Sequence, residues 1–402
     1  SIGNEMPDQT TDQGVIIARN LTAYCHDEDP TRPTSLGCNK RDAVFRDIVN
    51  QVDIFGLNYF HKTYPVFKEQ NPTRRYHASE TSSATSSRGE YFFPVTTDVN
   101  DSRSGFQLSS YDMTTIGWGC APEVQFKMNE EYPFMSGEFV WTGFDYLGEP
   151  TPYYTDWPSH SSLFGIIDLA GIPKDRFYLY RSHWNKTART LHILPHWTWP
   201  GREGEVTPVF VYTNYPSAEL FINGKSQGKR TKDLSVELDS SYTEAAQKSF
   251  ERQKRYRLMW MDTKYEPGTL KVVAYDKDGK AVAEEVVHTA GKPYRIELEA
   301  DRDRLKADGK DLSFINVRVV DKNGNLCPDA TNKVKFNVRG SGSYRAAANG
   351  DPSSLESFQA PQMSLFKGQL TAVVQTEETP GVIVFEASAP GVKSAKIELI
   401  SE

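Results

Sequence analysis

A chain of 402 residues, 38% apolar and 12% aromatic, is long enough to build two or three cores. Its net charge of −7 argues against a nucleic-acid-binding surface, which shows as a basic stripe. It has no run of about 18 apolar residues to cross a membrane as a helix. Its four cysteines, Cys25, Cys38, Cys120 and Cys327, form no C-x-x-C pair that would suggest a zinc knuckle or a thioredoxin-like motif.

Up to about residue 186, strand-like and helix-like segments alternate. After "SIGNE" comes "GVIIARNLTAY", with Ile17, Leu21 and Tyr24 at helical spacing. "RDAVFRDIVNQV" repeats the pattern with an apolar stripe of Val44, Ile48, Val49 and Val52. "DIFGLNYF", "RYHASETSS" and "GEFVWTGFDYLGEP" are short runs that end in polar and aromatic side chains. "PKDRFYLYRSHW" predicts a helix with Phe177, Tyr180 and Trp184 on one face. Such alternation points to parallel β/α units. Cys25 and Cys38 could meet across a loop, although buried free thiols fit better. His26, in the acidic "HDEDP", reads as solvated.

From about Thr190 the pattern becomes period-two alternation broken by turns. "PVFVYTN", "AELFINGKSQG" and "LKVVAYDKDGKAVAEEVV" predict antiparallel hairpins with Asn-Gly and Asp-Gly turns. After "TAGKPY", the segments "YRIELEA", "KVKFNVRG" and "SAKIELI" alternate like the strands of an immunoglobulin-like sandwich, with Ile296, Leu298, Val334, Phe336, Ile397 and Leu399 inward. "DKDGK" and "DKNGN" lack the glycine and glutamate spacing of a calcium loop and read as hairpin turns. "HWTWPG" reads as packing between domains. No Pro- or Ser-rich linker separates the blocks, so they should pack directly on one another.

In a parallel β/α barrel, side chains at the C-terminal ends of strands converge on one site. The strand ends here supply Glu5, Asn58 with Tyr59, Glu80, and Trp141. Two carboxylates, amide and phenol donors and a tryptophan wall form an inventory suited to cleaving a glycosidic bond. Taken singly, each has a plainer reading as a solvated loop residue or a core aromatic.

Several of these segments, in this order, resemble glycoside hydrolase family 2 in its bacterial β-galactosidase branch. "SIGNE" resembles the end of the strand-4 motif and "HASETSSATSSRGEYFFP" the strand-7 segment. "GEFVWTGFDYLGEPTPY" resembles strand 8, and "GIPKDRFYLYRSHW" the helix after it. The resemblance covers most of residues 1–186 and implies a partial (β/α)8 TIM barrel, strands 4–8, over 1–186. It also implies a β-sandwich at 187–290 and an immunoglobulin-like β-sandwich at 291–402. It implies a retaining β-glycosidase with Glu5 as acid/base and Glu80 as nucleophile. Asn4 would bond the sugar 2-hydroxyl, Asn58 and Tyr59 would lie in the sugar site with Tyr59 orienting Glu80, and Trp141 would wall the pocket.

Neither cofactor nor metal is implied. The expected partners are a carbohydrate with a terminal β-linked sugar and an N-terminal half of the same enzyme, without which this chain should be inactive. A periplasmic or extracellular location is expected. In a retaining enzyme the two carboxyl groups should stand about 5–5.5 Å apart, against roughly 6.5–9.5 Å in an inverting one. The rival reading is a non-catalytic glycan-binding or spacer protein built on the β-sandwiches.

Overall fold

The structure, a computed structural model, describes residues 1–97, 100, 103–236 and 253–402. Near the N-terminus lies a parallel sheet in the order β1 (Ser35–Cys38), β2 (Ile54–Asn58), β3 (Arg75–Ser82) and β4 (Glu138–Trp141). The first residues run beside β1 as a further parallel segment: Ile2 N–H donates to Ser35 O at 2.7 Å and Glu5 N–H to Gly37 O at 3.0 Å. Alternation sorts the side chains into two faces. Leu36, Cys38, Phe55, Leu57, Tyr76 and Ala78 fill a core under the helices. Gly37, Gly56, Asn58, His77 and Ser79 belong to the other face.

Helix α1 (Asp12–Glu28) begins at Thr11, whose hydroxyl accepts the Gly14 N–H at 3.1 Å. The predicted Ile17–Leu21–Tyr24 stripe is not its buried face. Gly14 and Ala18 are buried instead, and Tyr24 is 65% exposed. Small residues let this helix lie close: a Cβ on Gly14 would sit 2.0 Å from Asp8 O. The segment predicted as one helix from Arg41 is two 3-10 turns, Arg41–Phe45 and Asp47–Gln51, parted by an extended Arg46. Val44, Ile48, Val49 and Val52 are all buried as expected. Being β-branched, they weaken a continuous helix, and two short turns bring all four to the core.

Helices α2 (Tyr64–Gln70), α3 (Pro122–Glu131) and α4 (Asp175–Trp184) complete this part. On α4 the buried residues are Arg176, Leu179, Tyr180 and Ser182, while Trp184 is largely exposed. Only Tyr180 of the predicted face is fully buried; the buried side of the helix is turned toward Arg176 and Leu179. All four cysteines are free; Cys25 is exposed, contrary to expectation, and the other three are buried. His26 is paired with Asp53 at 2.8 Å on the surface.

The middle of the chain forms two facing sheets. One has three strands: β5 (Leu191–Leu194), β6 (Val209–Thr213) and β9 (Arg257–Trp260), with β6 central. The other has four, β7 (Ser217–Ile222), β8 (Lys225–Thr231), β10 (Thr269–Tyr275) and β11 (Ala281–His288), in the order β8-β7-β10-β11. Asn223 and Gly224 turn the β7–β8 hairpin with φ of 49° and 80°, as a tight hairpin turn requires.

The three-stranded sheet is buried on both faces, which explains the unbroken apolar run "PVFVYT". Val209 and Val211 pack against β7 and β10. Phe210, Tyr212, Leu194 and Met259 pack against Tyr91, Tyr111, Phe126 and Tyr180 of the N-terminal part. Trp199 stacks on His196 and meets Tyr91 and Phe93 edge-on, the expected inter-block packing.

The C-terminal part is a two-sheet sandwich. One sheet contains β12 (Arg295–Ala300), β13 (Leu312–Val320), β15 (Gly342–Ala348) and β16 (Gln369–Thr376). The other contains β14 (Lys333–Gly340), β17 (Gly381–Ser388) and β18 (Ala395–Ser401), with short edge strands at Arg304–Leu305 and Gln362–Ser364. All six residues expected to point inward belong to or pack on its core.

Candidate active site

The ends of the parallel strands bring the predicted residues together. Asn58, at the end of β2 and fully buried, donates from Nδ2 to Glu5 Oε1 at 2.9 Å and to Asn4 Oδ1 at 3.1 Å. Asn4 Nδ2 in turn donates to Glu80 Oε1 at 2.9 Å. Tyr59 Oη donates to Glu80 Oε2 at 2.5 Å. The two carboxylates are thus joined through two amides, and each oxygen of Glu80 has its own donor.

Local backbone devices make this possible. The β2–β3 register shifts so that Leu57 faces Ala78 and Asn58 faces Glu80. A bulge of this kind re-aims side chains, and both Ser79 and Glu80 turn toward the site. Ser79 Oγ donates to Asn58 Oδ1 at 2.5 Å, which fixes the orientation of the amide. Glu5 and Tyr59 have φ of 47° and 63°. Left-handed conformations at non-glycine residues cost energy and concentrate at functional sites.

Burial raises the pKa of Glu80, and the charge of Glu5 adds to this, while the Tyr59 and Asn4 donors oppose it. Tyr59 itself is held well above the usual phenol range by burial and by its bond to Glu80. The carboxylate is therefore the acceptor in that pair.

Asn4, Glu5, Tyr59, Glu80 and Trp141 line a cavity of about 970 Å³. Asn58 is fully buried and does not line this cavity; its bonds position Asn4 and Glu5. Trp141 contacts Tyr146 edge-on at 5.8 Å. His61, also at the wall, is pushed down to about 4 by burial and is neutral.

Sequence reasoning missed Ser79, Gly37 and the loop Met113–Gly119, which forms part of the wall. A Cβ on Gly37 would stand 2.2 Å from Asn4 Oδ1 and 3.1 Å from Asn58 Oδ1, so the amide pair needs glycine there. The one available signal for the loop was "GWG", an aromatic between two glycines.

Comparison with known proteins gives the family. Residues 296–398 match the family model "Glycoside hydrolase family 2 C-terminal domain 5", and residues 204–283 match a domain of unknown function, DUF4982. The chain is 39% identical over 399 residues to the β-galactosidase BoGH2A of Bacteroides ovatus, covering 96% of this chain and 44% of that protein. It is 26% identical over 237 residues to a β-glucuronidase of Bacteroides fragilis, covering 55% of this chain and 31% of that one. The crystal structure of a β-glycosidase from Bacteroides vulgatus superposes with a TM-score of 0.78 at 28% identity, over 97% of this chain and 49% of that one. These matches place the chain among the glycoside hydrolases. Within them it belongs to family 2. It spans less than half the length of these curated relatives.

Proposed function

We propose that this chain is the C-terminal portion of a retaining β-glycosidase, most directly a β-galactosidase. The observation that carries the reading is the Asn4–Asn58–Tyr59 network, which holds Glu5 and Glu80 at one cavity. Glu80, with its two donors, is the nucleophile. One of its oxygens bonds the anomeric carbon as the glycosidic C–O bond breaks, and the departing oxygen keeps the electron pair and takes the proton of Glu5. Water then attacks the anomeric carbon, gives a proton to Glu5 and releases Glu80. Asn4 reaches the sugar 2-hydroxyl and Trp141 forms an apolar wall.

On this reading the parallel segments from Ile2 to Trp141 are strands 4–8 of a (β/α)8 barrel, with domains at 1–186, 187–290 and 291–402. An N-terminal half of the same polypeptide would pair with the two open sheet edges and cover Phe139, which is 66% exposed. The enzyme would act in the periplasm or outside the cell on terminal β-linked sugars. Agreement with the β-galactosidase of B. ovatus over nearly the whole chain supports the choice of sugar.

The test is aryl β-galactoside hydrolysis by the whole polypeptide. Glu80→Ala should abolish it, and azide should restore part of it as a glycosyl azide of inverted configuration. Glu5→Ala should penalise poor leaving groups most. Turnover that survives Glu80→Ala would falsify the assignment. No turnover by the whole polypeptide, with glycan binding retained, would favour the non-catalytic rival.

A further inference from the structure

The loop Met113–Gly119 follows a buried anchor that comes from a different block of the protein. Arg257, on β9 of the middle sandwich, is fully buried. Its guanidinium donates to Tyr111 O at 3.0 Å, Asp112 O at 3.1 Å and Tyr212 Oη at 3.0 Å, and pairs with Glu123 of α3. The Asp112 side chain lies between Arg257 at 3.7 Å and Arg176 of α4 at 3.2 Å. Two buried cations thus face two buried carboxylates, and two of the guanidinium's bonds go to the backbone that leads into the loop.

That backbone is not relaxed by itself: Asp112 has φ of 57°. Tyr111 adds a second tie, from Oη to Pro208 O at 2.7 Å. At the far end Cys120 N–H donates to Ser82 O at 2.7 Å, two residues beyond Glu80. Between these anchors the loop presents Trp118, 45% exposed, at the wall of the catalytic cavity. An exposed indole at the edge of a polar pocket offers an apolar face to the C–H face of a pyranose ring, with little side-chain entropy to lose.

We propose that Trp118 is a stacking platform for the sugar next to the cleaved bond, and that Arg257 of the middle sandwich is the positioning residue that holds it there. This rests on the glycosidase reading above and extends it to the substrate class: glycans of two or more sugars, recognised beyond the terminal unit. The middle sandwich then shapes the site through Arg257.

The experiment compares, in the whole polypeptide, kcat/KM for a β-galactosyl disaccharide with that for an aryl β-galactoside. Trp118→Ala should lower the disaccharide-to-aryl ratio about tenfold, as expected for the loss of one stacked ring. Arg257→Met alone leaves buried carboxylates uncompensated and risks unfolding. The charge-balanced pair Glu123→Gln/Arg257→Met is therefore the informative variant. It should lower the same ratio, mainly through KM, and adding Trp118→Ala to it should cost little more. Isothermal titration of the disaccharide with the Glu80→Ala protein reads recognition without turnover, so a failure of catalysis does not hide the result. An unchanged ratio in Trp118→Ala, or unchanged disaccharide binding when turnover is absent, would overturn the platform. Additive effects in the triple variant would overturn the role of Arg257.

Discussion

At the scale of residues, the site depends on amides as much as on carboxylates. Asn58 has every polar atom engaged by Glu5, Asn4 and Ser79, so neither Glu5 nor Asn4 can rotate without breaking a buried bond. Tyr59 has the opposite exposure, one bond at the cavity wall that lowers a carboxyl raised by burial. On the proposed mechanism Glu80 must be ionised to attack, so activity should be lost as pH falls through its pKa. Tyr59→Phe removes a donor that lowers that pKa; the acid limb of the kcat/KM profile should move to higher pH and the plateau should drop at least tenfold. A limb that stays in place would remove Tyr59 from this role. Gly37→Ala tests the amide pair from behind: its Cβ would displace Asn4, and activity should fall tenfold or more. The cost in stability should be the 1–3 kcal/mol usual for overpacking. That Glu5, Glu80 and Trp141 share one cavity was legible because their residue types suit one chemistry and their motifs come in order. Ser79 and Gly37 were not, since a serine or glycine in a strand acquires meaning only from what the neighbouring strand places opposite it.

At the scale of elements, the strands were more legible than the helices. Period-two alternation in β12, β14 and β18 gave the inward residues directly, and Asn-Gly marked the β7–β8 turn. The α1 stripe misled because a helix that packs through Gly14 and Ala18 buries its small residues and leaves its larger ones outside. Strand β4 carries a further device. Glu138 accepts from Thr81 Oγ1 at 2.7 Å and Asn129 Nδ2 at 3.0 Å, yet burial raises it to about 7. Its folded pKa lies above the unfolded value of about 4.3, so the native state holds the proton more tightly. That contribution is complete below about pH 4 and is lost as pH rises toward 7. Urea unfolding of Glu138→Gln should therefore decline less between pH 5 and pH 8 than unfolding of the parent chain. An equal decline in both would mean that Glu138 ionises freely in the folded protein.

At the scale of the whole molecule, the parallel sheet has, among the described residues, no strand beyond the Ile2–Glu5 segment on one side or beyond β4 on the other. A separately produced N-terminal half should restore aryl β-galactoside hydrolysis when mixed with this chain, which alone should show none; robust turnover by the purified chain alone would contradict that dependence. The three-stranded sheet β5–β6–β9 has another consequence, one for heat rather than for chemistry. Val209 and Val211 belong to one core and Phe210 and Tyr212 to the next, so alternate residues of a single strand answer to different neighbours. No cut near residue 190 respects both, although the sequence changes character there. The C-terminal sandwich is held differently, through polar ties such as Arg88 to Asn349 O and Phe366 O, and Gln107 to Asp351. Calorimetry of the chain should accordingly show two endotherms, one for residues 291–402 and one in which everything before them melts together. Seen this way, the β5–β6–β9 sheet is a shared wall, and evolution could exchange the C-terminal sandwich as a cassette far more readily than the middle one.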